Sequence, residues 1–115
     1  MPEHNVIVTW EAIYDMADIM DYIEYDFGKE RADRFQSDIK RELEKLCYTA
    51  TFLPKTEIVY RGYVIQKKPF PPSIIFYVVK EQEQEVHVLR VLREEQNWEY
   101  VLSDNSDYTY PNGTN

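Results

Sequence analysis

The sequence predicts an α+β domain built from one short strand, two helices, three further strands and a short final helix. Apolar residues recur every three or four positions up to Leu46, which is typical of helices, and from Ile58 onward they alternate or run continuously, as in strands. Gly28, Pro54 and the segment 69–72 (Pro-Phe-Pro-Pro) separate these stretches. We expect the three later strands to form an antiparallel sheet that the N-terminal strand extends to four strands.

The N-terminal half predicts a strand followed by a helical hairpin. Asn5 to Thr9 alternates as a strand does, and the Thr9 hydroxyl is suited to cap the next helix. Gly28 ends that helix, and the second begins at about Lys29. The apolar stripes consist of Ile13, Ala17, Met20 and Ile23 in the first helix and of Ala32, Phe35, Ile39, Leu43 and Leu46 in the second, while Asp15, Asp18 and Asp21 fall largely outside them. Because so little chain separates the helices, we expect them to lie antiparallel.

Three strands are predicted in the C-terminal half. The first covers Ile58 to Lys68 and is interrupted at Arg61-Gly62. The other two cover Ile74 to Lys80 and Glu85 to Arg93. Their continuous apolar character indicates central strands that are covered on at least one face.

The C-terminal end combines a short helix with a polar segment. Asn97 to Leu102 fits one or two helical turns, with Trp98 anchoring them on the sheet. Residues 103–115 are rich in Ser, Asp, Asn, Thr and Gly, so we expect a flexible polar tail there. Residues 1–102 then form a single domain, as the total length of 115 residues favours.

Composition limits the classes of function. Cys47 is the only cysteine, so the sequence predicts neither a disulfide framework nor a thiolate metal cluster, and two isolated histidines do not make a metal site. The sequence shows no secretory signal and no apolar run long enough to span a membrane. We therefore expect a cytoplasmic protein without a cofactor, a bound metal or a membrane partner.

Charge is distributed unevenly along the chain. The net charge of −8 argues against a general nucleic-acid binder, since phosphate neutralisation needs surplus Lys and Arg. Residues 55–93 nevertheless hold seven basic and four acidic side chains. The candidates for contact with a target are cations of that segment: Arg61, Lys67, Lys68, Arg90 and Arg93.

Each of these cations has a structural alternative. Arg90 lies within an apolar strand, so it needs a buried partner or an anionic ligand, and a helix carboxylate is the favoured partner. Arg93 is the better ligand candidate, because a strand end is exposed. Lys67 and Lys68 either solvate a strand end or form a cationic rim with Arg61.

The order of these elements resembles that of RelE/ParE superfamily toxins of type II toxin–antitoxin systems. The supporting stretches are Tyr22-Ile23, 27–32 (Phe-Gly-Lys-Glu-Arg-Ala) with Phe35, 75–79 (Ile-Phe-Tyr-Val-Val), and 88–92 (Val-Leu-Arg-Val-Leu) followed by Trp98. The resemblance covers about residues 5 to 102. The order and spacing of these stretches together, rather than any single motif, make the resemblance specific.

The resemblance implies the toxin component of a plasmid-stabilisation module that inhibits growth and is bound by a cognate antitoxin. The antitoxin's C-terminal segment would lie over the helical hairpin and the sheet. ParE-like members of the superfamily poison DNA gyrase and have no known catalytic residues. RelE-like members cleave messenger RNA on the ribosome, which needs a group that activates the ribose 2′-hydroxyl and cations that stabilise the transition state.

The residues that RelE-like cleavage would need are largely replaced. Ile74 stands where many RelE-like toxins place an arginine, and Glu94 stands where a catalytic arginine often follows the last strand. The turn that reads His-Gly and two basic residues in many ParE-like toxins here reads Arg-Glu-Glu-Gln, residues 93–96. Tyr100 falls near the C-terminal tyrosine of RelE-like toxins. Arg93 and Tyr100 are therefore the candidate catalytic residues if the chain is a nuclease.

We predict a ParE-like toxin that acts by protein binding, with an antitoxin and DNA gyrase as partners. One alternative is a RelE-like ribosome-dependent nuclease that uses Lys67, Lys68, Arg90, Arg93 and Tyr100. The other is a degenerate member without toxicity, which the acidic turn and the net charge support. Because antitoxins of this superfamily are often acidic, we expect either an apolar contact with the acidic helices or an unusually basic partner.

Overall fold

The computed structural model describes residues 3–104 and 107–111. Its elements are β1 (Asn5–Val8), α1 (Trp10–Phe27), α2 (Lys29–Thr49), a 3₁₀ turn (Ala50–Phe52), β2 (Lys55–Tyr60), β3 (Tyr63–Phe70), β4 (Ser73–Lys80), β5 (Glu85–Arg93) and α3 (Trp98–Leu102). The strands form one sheet in the order β1-β5-β4-β3-β2, in which β1 is parallel to β5 and the other pairs are antiparallel. The predicted α+β class is confirmed. Within the described ranges, no helix is long and apolar enough to cross a membrane.

The sheet has five strands, whereas the sequence predicted four. The segment predicted as a single interrupted strand is a hairpin, because Arg61 and Gly62 form its two-residue turn and Tyr60 pairs with Tyr63. Both turn residues have left-handed backbone angles, with φ of 50° at Arg61 and 86° at Gly62. A two-residue turn of this kind matches the twist of the flanking strands. The predicted interruption is thus a reversal of the chain.

The helical hairpin packs on one face of the sheet. Gly28 separates the helices with a φ of 96°, a conformation that favours glycine. The core of this face combines helix residues (Ala12, Ile19, Phe35, Ile39, Leu46) with sheet residues (Ile75, Tyr77, Val86, Val88, Val91). The end of α2 is fixed to the sheet, since the carbonyl of Ala50 accepts hydrogen bonds from the Tyr77 hydroxyl at 2.7 Å and from Gln66 Nε2 at 2.9 Å. The orientation of the hairpin on the sheet follows from these contacts.

The opposite face of the sheet has its own apolar core, formed by Ile65, Phe76, Val78, Leu89, Leu92 and Leu102. Helix α3 covers part of it, and the Trp98 ring lies 5.2 Å from the ring of Phe76. Trp98 therefore has the anchoring role that the sequence predicted. With only five residues, α3 is too short to cover the whole face.

Residues 107–111, which belong to the segment expected to be a flexible tail, lie against this second face, and we call them the C-terminal strap. The Tyr108 ring contacts the Tyr60 ring edge-on at 4.9 Å, and the Tyr110 hydroxyl lies 2.6 Å from Nδ1 of buried His87. The carbonyl of Thr109 accepts a hydrogen bond from the first amide of α1 at 2.9 Å. Aromatic rings explain why a polar segment packs here. The rest of the expected tail, residues 105–106 and 112–115, lies outside the described residues.

Replacing Tyr108 by Ala should lower the free energy of unfolding by about 2 kcal/mol, since a half-buried ring is removed from the second core. Tyr100→Ala is the control, because that side chain is 78% exposed and its loss should change the free energy by less than about 0.5 kcal/mol. Urea denaturation of both variants measures the difference. Equal stabilities would show that the strap does not contribute to the fold.

Stability should also fall as the pH rises from 10 to 12. Burial raises the pKa of Tyr108 and of Tyr110 to about 12, whereas an unfolded tyrosine has a pKa of 10.0. The unfolded chain therefore releases these phenolic protons first, and deprotonation in that range favours unfolding. Urea midpoints measured across the range for the natural chain and for Tyr108→Phe test this. A decline that is equally steep in the variant would contradict the assignment to Tyr108.

Candidate functional site

Strand β5, which lies between β1 and β4, is open along part of one edge, and this edge determines where its arginines lie. β1 pairs with β5 only from Glu85 to Val88, so the later residues lack a strand partner on that side. Side chains replace the missing strand: the Thr9 hydroxyl donates to the carbonyl of Leu89 at 3.0 Å, and the Asp15 carboxylate accepts from the amide of Val91 at 3.0 Å. The start of α1 therefore closes the edge.

Arg90 projects from this edge and pairs with Asp15. The register of β5 against β4 shifts at this point, because Phe76 pairs with Arg90 while Tyr77 pairs with Val88. The guanidinium donates to both carboxylate oxygens of Asp15, from Nε at 2.7 Å and from a terminal nitrogen at 2.9 Å. This is the fork-shaped geometry that Arg forms with a carboxylate. The structure thus realises the alternative in which Arg90 has a helix carboxylate as its partner.

The pair is partly buried, with side-chain exposures of 26% for Arg90 and 12% for Asp15. Burial raises the pKa of Asp15, against the opposing effect of hydrogen bonds from Arg90 and from the amide of Val91. Donation to Asp15 raises the pKa of Arg90. Asp15 was expected outside the apolar stripe of α1. It lies three residues after Ala12 and four before Ile19, both buried, and this spacing is the signal that places it towards the sheet.

Arg93 borders a small cleft of about 230 Å³ between α1 and the end of β5. Its guanidinium lies 5.3 Å from the centre of the Tyr22 ring, and its Nε lies 3.4 Å from a carboxylate oxygen of Glu95. Asp15 and Asp18 line the same cleft. Two carboxylates beside one guanidinium make this a poor site for a polyanion.

The remaining candidate cations do not meet at a common surface. Lys68 pairs with Glu42 of α2 at 3.2 Å, and its side chain is only 13% exposed. Lys67 lies 5.3 Å from the Trp98 ring on the opposite face of the sheet. Arg61 forms an ion pair with Asp107 of the strap. The structure therefore does not bring Arg61, Lys67 and Lys68 together in a rim.

Tyr100 does not share a cleft with Arg93. It lines a separate opening with Arg90 and Val101 on the α3 side of the sheet. The two candidate catalytic residues are thus not brought together. In the part of the chain that the structure describes, no three His, Cys, Asp or Glu side chains are arranged to hold a metal ion.

The hairpin carries an apolar groove that the sequence did not reveal. The groove measures about 340 Å³, lies between α1 and α2, and is lined by Ile13, Met16, Ala17, Met20, Gln36, Ile39, Lys40 and Leu43. We call it the helix groove. Trp10 and Tyr14 stack on each other at 5.7 Å along the same helix, with exposures of 38% and 60%. Ile13, Ala17 and Met20 belong to the apolar stripe predicted for α1, and they line this groove.

Comparison with known proteins decides the family. The model of the family described as ParE toxin of type II toxin-antitoxin system, parDE, matches residues 6–98. The chain belongs to the ParE toxin family. The resemblance to the RelE/ParE superfamily is thereby confirmed.

A solved structure is similar to this ParE family member. It comes from work described as the chromosomal ParDE TA system from P. aeruginosa, and it superposes with a TM-score of 0.67 at 21% sequence identity. The match covers 81% of this chain and 98% of that one. No curated protein matches the chain. The structural likeness supports the fold.

The turn at residues 93–96 differs from the basic turn expected of ParE-like proteins, and the structure shows how it is held. The amide of Glu94 donates to the carbonyl of Pro72 at 2.9 Å, and the amide of Arg93 donates to Gln96 Oε1 at 2.8 Å. The side chains of Glu94 and Glu95 are exposed. In this ParE family member, the end of β5 therefore presents two carboxylates beside one arginine.

Asp15→Ala should lower the free energy of unfolding by about 3 kcal/mol, because it leaves a partly buried guanidinium and the amide of Val91 without an acceptor. Asp18→Ala is the matched control on the same helix, and its cost should stay below about 0.5 kcal/mol since that residue is exposed. Asp15→Asn keeps an acceptor oxygen, so its loss of unfolding free energy should lie between those of the two alanine variants. Similar costs for the two alanine variants, measured by urea denaturation, would contradict the role given to Asp15.

Proposed function

We propose that this protein is the toxin of a type II toxin–antitoxin module and acts by binding other proteins, with a cognate antitoxin as its partner and DNA gyrase as its target. The family match over residues 6–98 carries the proposal. The geometry of the candidate residues supports binding over catalysis. Arg93 and Tyr100 line different clefts, and Arg90 is engaged by Asp15.

The helix groove is the proposed contact surface for the antitoxin. It is apolar, lies on the outer side of the hairpin, and leaves Ala17 exposed at its centre. A groove of this shape suits the apolar face of a partner helix. Covering it would also remove exposed apolar surface from water, a favourable contribution of about 25 cal/mol per Å².

For the gyrase target, Arg93 is the proposed contact residue. Its side chain is 38% exposed at the end of β5, and its carboxylate partner Glu95 is itself 64% exposed, whereas the side chains of Lys68 and Arg90 are only 13% and 26% exposed. Contact by an arginine at an interface needs no catalytic partner. This fits a toxin that inhibits its target by binding.

A second candidate function is antitoxin binding without toxicity. The observation that favours it is the pairing of four of the five candidate cations with carboxylates of the same chain: Arg61 with Asp107, Lys68 with Glu42, Arg90 with Asp15 and Arg93 with Glu95. Such pairing reduces the positive field that a target would meet. Growth after induction separates this candidate from the first.

Controlled expression should arrest growth, and the purified protein should inhibit supercoiling by gyrase while leaving messenger RNA on ribosomes uncut. Arg93→Glu should weaken the inhibition of supercoiling about tenfold, equivalent to about 1.4 kcal/mol, because it reverses the charge of the proposed contact. Arg34→Glu makes the same charge change on exposed α2 and should have little effect.

Other outcomes of these experiments would support a different function or a different contact residue. Cleavage of ribosome-bound messenger RNA, abolished by Arg93→Ala and by Tyr100→Phe, would establish the nuclease alternative. Undisturbed growth, together with binding of the protein encoded beside this gene, would establish the member without toxicity. Equal inhibition by Arg93→Glu and by the natural chain would remove Arg93 from the gyrase contact.

A further inference from the structure

The helix groove is open to a partner from outside the described chain. The C-terminal strap packs on the opposite face of the sheet, where Tyr108 joins the second core. Helix α3 lies on that same face. No described segment of this chain therefore covers the groove.

The dimensions of the groove suit a short stretch of helix. Its wall on α1 runs from Ile13 to Met20, which is about 10 Å at 1.5 Å per residue, or two helical turns. A third helix laid along it would place side chains spaced three, four and seven residues apart between α1 and α2. An amphipathic helix meets this requirement.

The charges beside the groove indicate which amphipathic helix fits. Helix α1 carries six acidic side chains and no basic one, whereas α2 carries six basic and five acidic side chains. Asp21 and Glu24 follow Ala17 and Met20 by one turn, so they extend the groove wall on the α1 side. Both are exposed, and neither forms an ion pair within residues 3–104 and 107–111. Lys40 lines the groove on the α2 side. The two walls therefore differ in charge, and the uncompensated negative charge lies along α1.

A second copy of this chain is a poor occupant. Two hairpins that met groove to groove would join two surfaces that are each acidic overall, because six acids and no base lie on α1 while six basic and five acidic side chains nearly balance on α2. The net charge of −8 per chain adds to that repulsion. A partner of opposite charge has no such cost, and the exposed faces of Trp10 and Tyr14 offer it cation–π contacts.

We propose that the helix groove binds an amphipathic helix with Lys or Arg along the flank that faces α1. This inference rests on the proposed function, because the helix is a segment of the cognate antitoxin. The apolar face of that helix covers Ile13, Ala17 and Met20, and its basic flank pairs with Asp21 and Glu24. The groove supplies the contact area, and α1 selects the charge.

Two synthetic helical peptides with the same apolar face test this, one with Lys and the other with Glu on the flank beside α1. Fluorescence anisotropy with the full chain should show the Lys peptide binding at least about tenfold more tightly. The preference should shrink at high salt, since exposed charges are screened. Ala17→Glu, which places a charged side chain in the groove at an exposed position, should abolish binding of both peptides.

The double variant Asp21→Asn/Glu24→Gln should remove the preference for the Lys peptide. The control is Glu57→Gln/Glu83→Gln, which changes the net charge by the same amount at exposed positions away from the hairpin. This variant should still prefer the Lys peptide. Equal binding of both peptides, a Lys preference that survives the Asp21/Glu24 change, or binding of neither peptide would each overturn the inference.

A pull-down with the small protein encoded beside this gene separates this inference from the proposed function. If that protein binds and neither Ala17→Glu nor the Asp21/Glu24 change weakens binding, the groove is not the contact, although the proposed function stands. If it does not bind and expression leaves growth unchanged, the proposed function fails whatever the peptides do.

Discussion

The rest of the structure depends on how α1 closes the open edge of β5. Because β1 has only four residues, the second half of β5 has no strand partner on that side, and a buried amide without an acceptor costs about 1–3 kcal/mol. Asp15 provides that acceptor for Val91, but a buried carboxylate needs a cation in turn. Arg90 is that cation. The shortness of β1 therefore explains why a charged residue, Arg90, lies within an apolar strand.

This closure also sets the rotation of α1 about its axis. With Asp15 and Ile19 directed at β5, the stripe that contains Ile13, Ala17 and Met20 turns towards α2 and the outside. On the same helix, Asp15 therefore contacts the edge of the sheet, whereas Asp21 and Glu24 are exposed. In the proposed binding mode, one side of this helix serves the fold and the other serves recognition.

The sequence allowed prediction of the elements whose signal is local. The hairpin follows from a 3.6-residue period interrupted by Gly28, and the central strands follow from long apolar runs. The turn at Arg61-Gly62 was predicted as an interruption of one strand, because a turn of only two residues barely disturbs the alternating apolar pattern on either side of it. The fifth strand could be recognised only from the pairing of Tyr60 with Tyr63.

The site residues were harder to predict, because their roles depend on contacts between distant segments. Asp15 and Arg90 are 75 positions apart, and the register shift on β5 that directs Arg90 to the edge leaves no mark in the apolar pattern. The strap was missed since its polar composition hides the two tyrosines that pack. The groove was missed because an apolar stripe shows that a helix is covered but not whether its own chain covers it.

Charge balance connects these features to recognition. Four of the five candidate cations are paired within the chain, since Arg61, Lys68, Arg90 and Arg93 each lie beside a carboxylate. A competing anion would have to displace a carboxylate, and this costs most at the partly buried Arg90–Asp15 pair, because an exposed ion pair such as Arg61–Asp107 contributes only about 0–1 kcal/mol. The outer acids of α1 have no comparable compensation among the described residues. The partner that we propose, a helix with a basic flank, would meet these acids of α1 where they lie beside the exposed apolar surface of the helix groove.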